Sequence, residues 1–225
     1  MQAPLDILYE DNHLIAVNKA VGDLVQGDQT GDITLPDRIK AYIKEKYHKP
    51  GEVFLGVIHR LDRPTTGVVV FARTSKGLER MNAAFKNRAT QKTYWALVEG
   101  RLEAGRSLVH YLKKNPKNNK AAVFARPEAG AKEAKLRFEV LRVGDRYSLL
   151  EVALETGRHH QIRAQLSAIG HPIKGDVKYG ARRAERDYSI CLHAKNLVFT
   201  HPTSGETVAL SAPTPPCFDP FLPVR

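Results

Sequence analysis

With 225 residues, 42% of them hydrophobic and 26% charged, the chain can bury a substantial core, which excludes a disordered tail protein. Its two cysteines, Cys191 and Cys217, are too few for a disulfide framework or a thiolate zinc site. No run reaches the ~20 apolar residues of a membrane span and no basic residue precedes Lys19 to open a signal peptide, so a reduced cytoplasmic protein is expected. The 35 Lys and Arg against 24 Asp and Glu give a formal charge of +11 and favour a polyanionic partner, nucleic acid above all.

Asp6 to Lys19 reads as a hairpin turning at Asp11-Asn12, two residues that tolerate positive φ. Val21 to Gly31, with three glycines, reads as loop. Thr34 to Lys46 reads as a helix: Thr34 and Asp37 have capping-box spacing, Pro36 suits the first turn, and Leu35, Ile39, Tyr42 and Ile43 form one stripe. Val53 to Ile58 and Val68 to Ala72 read as buried strands. A helix is expected over Ser75 to Lys86, with Leu78, Met81, Asn82 and Phe85 on one side. Thr93 to Val98 reads as a central strand, apolar on both faces. Further hairpins are expected around Asn115 to Asn119, at Gly144-Asp145 and at Thr203-Ser204-Gly205. His159 to Ile169 reads as a helix closed by Gly170 and Pro172, and Pro213 to Pro223 as an extended surface tail. Strands outnumber helices and many are hairpin-linked, which predicts an α+β fold with a mixed, mostly antiparallel sheet.

Three stretches carry chemistry. His59-Arg60-Leu61-Asp62-Arg63-Pro64-Thr65-Thr66-Gly67 joins two predicted strands, with Asp62 among cationic neighbours that favour its ionised form. An aspartate in such a loop usually accepts from the amide two residues on, but Pro64 has none, leaving Thr65 as the local donor. Asp62 is therefore a candidate nucleophile or base, against the plainer reading of a structural salt bridge. In Glu155-Thr156-Gly157-Arg158-His159-His160-Gln161-Ile162-Arg163, Arg163 lies one predicted turn beyond His159. It either points into a cleft to meet a carboxylate or phosphate, or belongs to a solvated basic face. His59, Asp62, His159 and His160 suggest a metal only weakly, because adjacent helical residues diverge by about 100°. In Gln91 to Val98, Tyr94 is a core residue unless its ring reaches a cleft where it can stack on a base. Residues 105–127 carry Arg106, Lys113, Lys114, Lys117, Lys120 and Arg126 without one acid, a stretch suited to phosphates.

These residues resemble the RNA pseudouridine synthases of the RluA-type branch. H-R-L-D-x-x-T-S-G matches His59 to Gly67, with Thr66 in place of serine. K-x-Y matches Lys92 to Tyr94, and T-G-R-x-H-Q-I-R-x-H matches Thr156 to Gln165, with Gln165 in place of histidine. G-H-P-I-x-G-D-x-x-Y-G matches Gly170 to Gly180, and H-A-x-x-L-x-F-x-H-P matches His193 to Pro202. N-K-P-x-G corresponds to Asn18 to Gly22, with Ala20 in place of proline. The motifs follow one another in order over nearly the whole chain.

The resemblance implies a catalytic domain spanning 1–225, two fused subdomains sharing one sheet with a central cleft, and no preceding RNA-binding module. It implies isomerisation of uridine to pseudouridine in structured RNA, ribosomal large-subunit RNA or tRNA. By resemblance Asp62 is the essential carboxylate, Arg163 its guanidinium partner and Tyr94 the ring on the target base. Arg60 fills space near a flipped nucleotide, and His59, Arg63, Lys92, Arg158, His160, Lys113, Lys114 and Lys117 are expected to contact RNA. The reaction as implied requires no cofactor and no metal, and a monomer is expected. The readings it competes with are a catalytically silent RNA-binding protein on the same scaffold and a metal nuclease.

Overall fold

The computed structural model describes residues 4–27 and 31–222; the loop reading at 28–30 and the tail reading at Pro223 fall outside them. Among the described residues there are eleven strands, three α-helices and two short 3-10 segments, an α+β composition. None of these helices is long and apolar enough to cross a membrane. The chain divides into two compact units, one running to Gln91 and taking in Ala194–Pro213, the other comprising Lys92–His193 and the residues from Thr214.

The first unit opens with the expected hairpin, β1 (Ile7–Glu10) against β2 (Leu14–Lys19). Its turn is held by a side chain and not by positive φ: Asp11 Oδ1 accepts the His13 and Leu14 N–H groups at 2.8 and 2.7 Å. Helix α1 (Leu35–Lys46) begins at Thr34 with the reciprocal box read from the sequence, Asp37 N–H donating to Thr34 Oγ1 and Thr34 N–H to the Asp37 carboxylate. Strand β4 (Thr66–Ala72) pairs antiparallel with β2 and is buried along almost its whole length. Helix α2 (Ser75–Lys86) is capped by Thr74 and drops Met81 into a core with Leu14, Val68, Val70 and Phe199. The predicted strand Val53 to Ile58 shrinks to β3 (Gly56–Val57), because Phe54 and Val57 are exposed and only two residues find a partner on β4.

The second unit is an antiparallel array in the order β5 (Thr90–Glu99), β9 (Tyr147–Leu154), β8 (Lys132–Val143), β6 (Arg106–Asn115), β7 (Lys120–Phe124). Strand β5 has neighbours on both edges, since Leu97 N–H donates to the Cys191 carbonyl and Lys174 N–H to the Leu97 carbonyl. Its core gathers Leu97, Leu136, Phe138, Leu150, Val152 and Leu166. Helix α3 is Gln161–Ala168, shorter at its start than expected. His160 stands before it in a left-handed conformation (φ 52°), so His159 lies outside the helix and the one-turn relation to Arg163 does not hold. The helix ends as read: Gly170 and His171 donate N–H to the Ser167 and Leu166 carbonyls, a Schellman closure with Gly170 at φ 84°. The last hairpin is β10 (Leu192–Thr200) against β11 (Thr207–Ser211) in the first unit. The tail is not extended over the surface; Pro216–Phe221 forms a 3-10 segment that buries Phe218 completely against the second unit's core, edge-on to Trp95. Burying the Phe218 ring outweighs the preference of a Pro-rich stretch for extended chain.

Candidate active site

Asp62 is half-buried in the connection between β3 and β4. Arg63 and Pro64 form a turn closed by Thr65 N–H donating to the Asp62 carbonyl at 3.0 Å, and the Arg63 carbonyl accepts the Gly22 N–H. The ring of His59 stacks on Phe85 (4.8 Å, 22°), and its Nε2 accepts the Val70 N–H at 3.1 Å. An acceptor nitrogen there places the ring proton on Nδ1. Arg60 is exposed and donates to Gln26 Oε1, while exposed Arg63 pairs with Asp32 at 2.7 Å. Gly67 (φ 113°) closes the motif because a Cβ there would lie 2.3 Å from the Ala194 carbonyl oxygen.

Lys19 fixes this loop. It ends β2 fully buried and its ammonium donates to three carbonyls, Ala20 and Arg63 at 3.0 Å and Thr65 at 2.7 Å. Two of them belong to the turn that presents Asp62, so the three protons of one buried cation set the path of the backbone on the far side of that residue. Burial drives the Lys19 pKa down to about 8, against the attraction of Asp23 and Asp62. The unfolded chain keeps its proton to about pH 10.4. Between those values it binds more protons than the native state, so stability rises with pH through that window. Urea unfolding of the parent and of Lys19→Met across pH 7–10.5 should show this rise in the parent and its loss in the variant; equal slopes would contradict the assignment.

In the second unit Arg163 is not on a solvated basic face. It is 5% exposed and forms a two-pronged pair with Asp176, Nε to Oδ2 at 2.7 Å and Nη2 to Oδ1 at 2.9 Å. Asp176, 1% exposed, lies in the motif run Gly170 to Gly180, yet nothing in the residue types of that run announces a partner for α3. The ring of Tyr179 lies 5.1 Å from the guanidinium carbon, and its hydroxyl accepts the Ala121 N–H at 2.7 Å and meets His160 Nδ1 at 2.8 Å. His159 stacks on His160 at 3.8 Å. Gln161 knits the approach to the helix: its carbonyl accepts the Thr156 hydroxyl and the Arg158 N–H, and its amide donates to the Lys135 carbonyl. Arg158 Nε donates to the Glu133 carbonyl. Gln165, where the resembling family has histidine, is fully buried and donates towards the Ala134 carbonyl and His110 Nδ1, tying α3 to β8 and β6.

Tyr94 is half-buried on β5, opposite Val152, and packs against the second unit's core. Two residues earlier Lys92 reaches the backbone at Gly157, where its Nζ would lie 3.8 Å from an added Cβ, and burial lowers its pKa. The hairpin β6–β7 exposes Lys114 and Lys117, while Lys113 donates to the Ala129 carbonyl at 2.8 Å. Among the described residues no three His, Cys, Asp or Glu side chains converge on a common point as metal ligands would.

The profile of the family described as RNA pseudouridylate synthase matches residues 13–168. The chain belongs to the RNA pseudouridylate synthase family. It is 34% identical, over 97% of its length and 68% of the relative's, to an uncharacterized RNA pseudouridine synthase of Synechocystis sp.. Ribosomal large subunit pseudouridine synthase C of Vibrio cholerae is 33% identical over 92% of this chain, which spans 65% of that protein. The dual-specificity RNA pseudouridine synthase RluA of Haemophilus influenzae is 35% identical over 92% of both chains. Among solved structures, human RNA pseudouridylate synthase domain containing 1 superposes with a TM-score of 0.76 at 28% identity, over 94% of this chain and 84% of that one. The α+β architecture and the RluA-type resemblance read from the motifs thus agree with the family's known members.

Proposed function

We propose that this chain converts uridine to pseudouridine in structured RNA, ribosomal large-subunit RNA or tRNA, acting as a cytoplasmic monomer whose two units form one catalytic domain. The reading is carried by one match that includes both His59 to Gly67 and Thr156 to Gln165. It is supported by relatives named for ribosomal large-subunit RNA and for tRNA. The reaction breaks the N1–C1′ bond, turns the uracil and joins C5 to C1′; the C5 proton leaves and N1 gains one. Nothing is oxidised and no group is lost from the RNA, so the atom balance requires neither redox cofactor nor metal.

In this reading the Asp62 carboxylate attacks C1′ or removes the 2′ proton. Arg163 supplies the guanidinium that orients it, and Tyr94 the ring that receives the base. The target must first leave its stack, at a cost of a few kcal/mol that loop nucleotides largely avoid. Arg60 occupies the space opened by extrusion. Cations at Arg63, Lys92, Arg158, Lys113, Lys114 and Lys117 take phosphates, with His59 and His160 shaping the surface around them. Transcripts labelled with tritium at uridine C5 test the proposal: release of label to water, unaffected by chelator, is the expected result. RNA bound tightly with no label released from either RNA class would leave a silent binding protein instead.

A further inference from the structure

A second surface in the Lys92–His193 unit has the chemistry of an RNA contact. The loop from Arg182 to Tyr188 leaves the segment that holds Asp176: Ala181 N–H donates to the Asp176 carbonyl at 3.0 Å, and Arg182 N–H to Glu99 Oε1 at 2.9 Å. Its ends are drawn together at Gly175 (φ 88°), where a Cβ would lie 2.8 Å from the Ser189 carbonyl oxygen. Of the loop's two acids, Glu185 is half-buried and Asp187 is exposed. Glu185 pairs with Lys174 at 2.9 Å, and the Asp187 carboxylate accepts the Ser189 N–H at 3.0 Å. Its three arginines, Arg182, Arg183 and Arg186, are exposed; the Arg182 side chain is 90% exposed, with its Nε 3.7 Å from the Glu99 carboxylate.

At the end of the loop, directly after Asp187, Tyr188 is 83% exposed, and its backbone is left-handed (φ 59°). A bulky residue seldom adopts that conformation, which here is fixed by Tyr188 N–H donating to the Glu185 carbonyl at 3.1 Å. A phenol ring left this exposed gains little from folding, and on a loop that also exposes three guanidinium groups it offers an aromatic platform with cations on the same loop. That combination suits single-stranded nucleic acid, whose bases stack on the ring while its phosphates meet the arginines.

We propose that the Arg182–Tyr188 loop is a second RNA-binding surface, with Tyr188 stacking on an unpaired base other than the target uridine. The assignment rests on the pseudouridine synthase reading and adds a specificity contact to it. Steady-state label release from a C5-tritiated large-subunit ribosomal RNA transcript, or from tRNA transcripts, tests it. Tyr188→Ala should raise KM by about tenfold and change kcat by less than about twofold. Tyr188→Trp should retain the parental KM, and the introduced indole should be quenched by RNA. Joint replacement of Arg182, Arg183 and Arg186 by Ala should reduce the slope of log affinity against log salt by about 2.

A Tyr188→Ala KM within about twofold of the parent, or a Tyr188→Trp variant as weak as the Ala variant, overturns the stacking role. If the parent releases no label, the catalytic reading fails separately. Filter retention of the same transcripts then decides the surface, with about tenfold weaker binding of Tyr188→Ala upholding it and equal binding overturning it.

Discussion

Asp62→Asn is expected to reduce tritium release by on the order of 10³-fold or more, a loss above about 4 kcal/mol in transition-state stabilisation. RNA affinity should stay within about twofold. The amide has the shape of the carboxylate but can neither attack C1′ nor take a 2′ proton. The turn that carries it is held through backbone carbonyls. Thr65 N–H donates to the backbone carbonyl of residue 62, and Lys19 holds the Arg63 and Thr65 carbonyls. One further readout follows from the charge. Asp62 is among the groups that hold the Lys19 pKa up against burial, so the Asn variant should move it below about 8. Release at the parental rate would remove Asp62 from the chemistry; lost release with an unfolded chain is distinguished by circular dichroism and by the retained RNA affinity.

How much was legible in the sequence differs between elements for physical reasons. Where local chemistry dictates structure, reading and structure agree. The Thr34–Asp37 box, the Gly170 helix stop and the Asn115 to Asn119 turn are all set within a few residues. Where a distant partner decides, the sequence pattern misleads. Val53 to Ile58 has the β-branched character of a buried strand but pairs through only two residues. The Pro-rich tail holds Phe218, whose burial requires a pocket assembled from strands far away in sequence. The same divide runs through the candidate site. The roles proposed for Asp62, Tyr94 and Arg163 come from their residue types and local motifs. Lys19 does not declare itself, although one signal was present: it continues the Ile15, Val17 alternation of β2 and so falls on an inward-facing position. Asp176 had no comparable signal, because a buried acid is recognisable only once its cation, thirteen residues earlier on a helix, has been placed beside it.

That buried pair should dominate the stability of the second unit. Asp176→Ala leaves the Arg163 guanidinium in a site 5% exposed to solvent with its two-pronged acceptor gone. Breaking a buried ion pair from one side costs about 3–5 kcal/mol. In a chain of this length that lowers Tm by on the order of 10 °C, read by calorimetry. Arg163→Met combined with Asp176→Leu separates the two roles of the pair. It removes both charges together and fills similar volume, so much of the lost Tm should return. Tritium release should not return with it, since an apolar core cannot replace a guanidinium in the chemistry proposed for Asp62. The Tyr179 hydroxyl still holds Ala121 and His160 in that double variant, so the hairpin β6–β7 should stay anchored and RNA affinity should be largely kept. A double variant with recovered Tm and parental label release would show that Arg163 serves the fold alone.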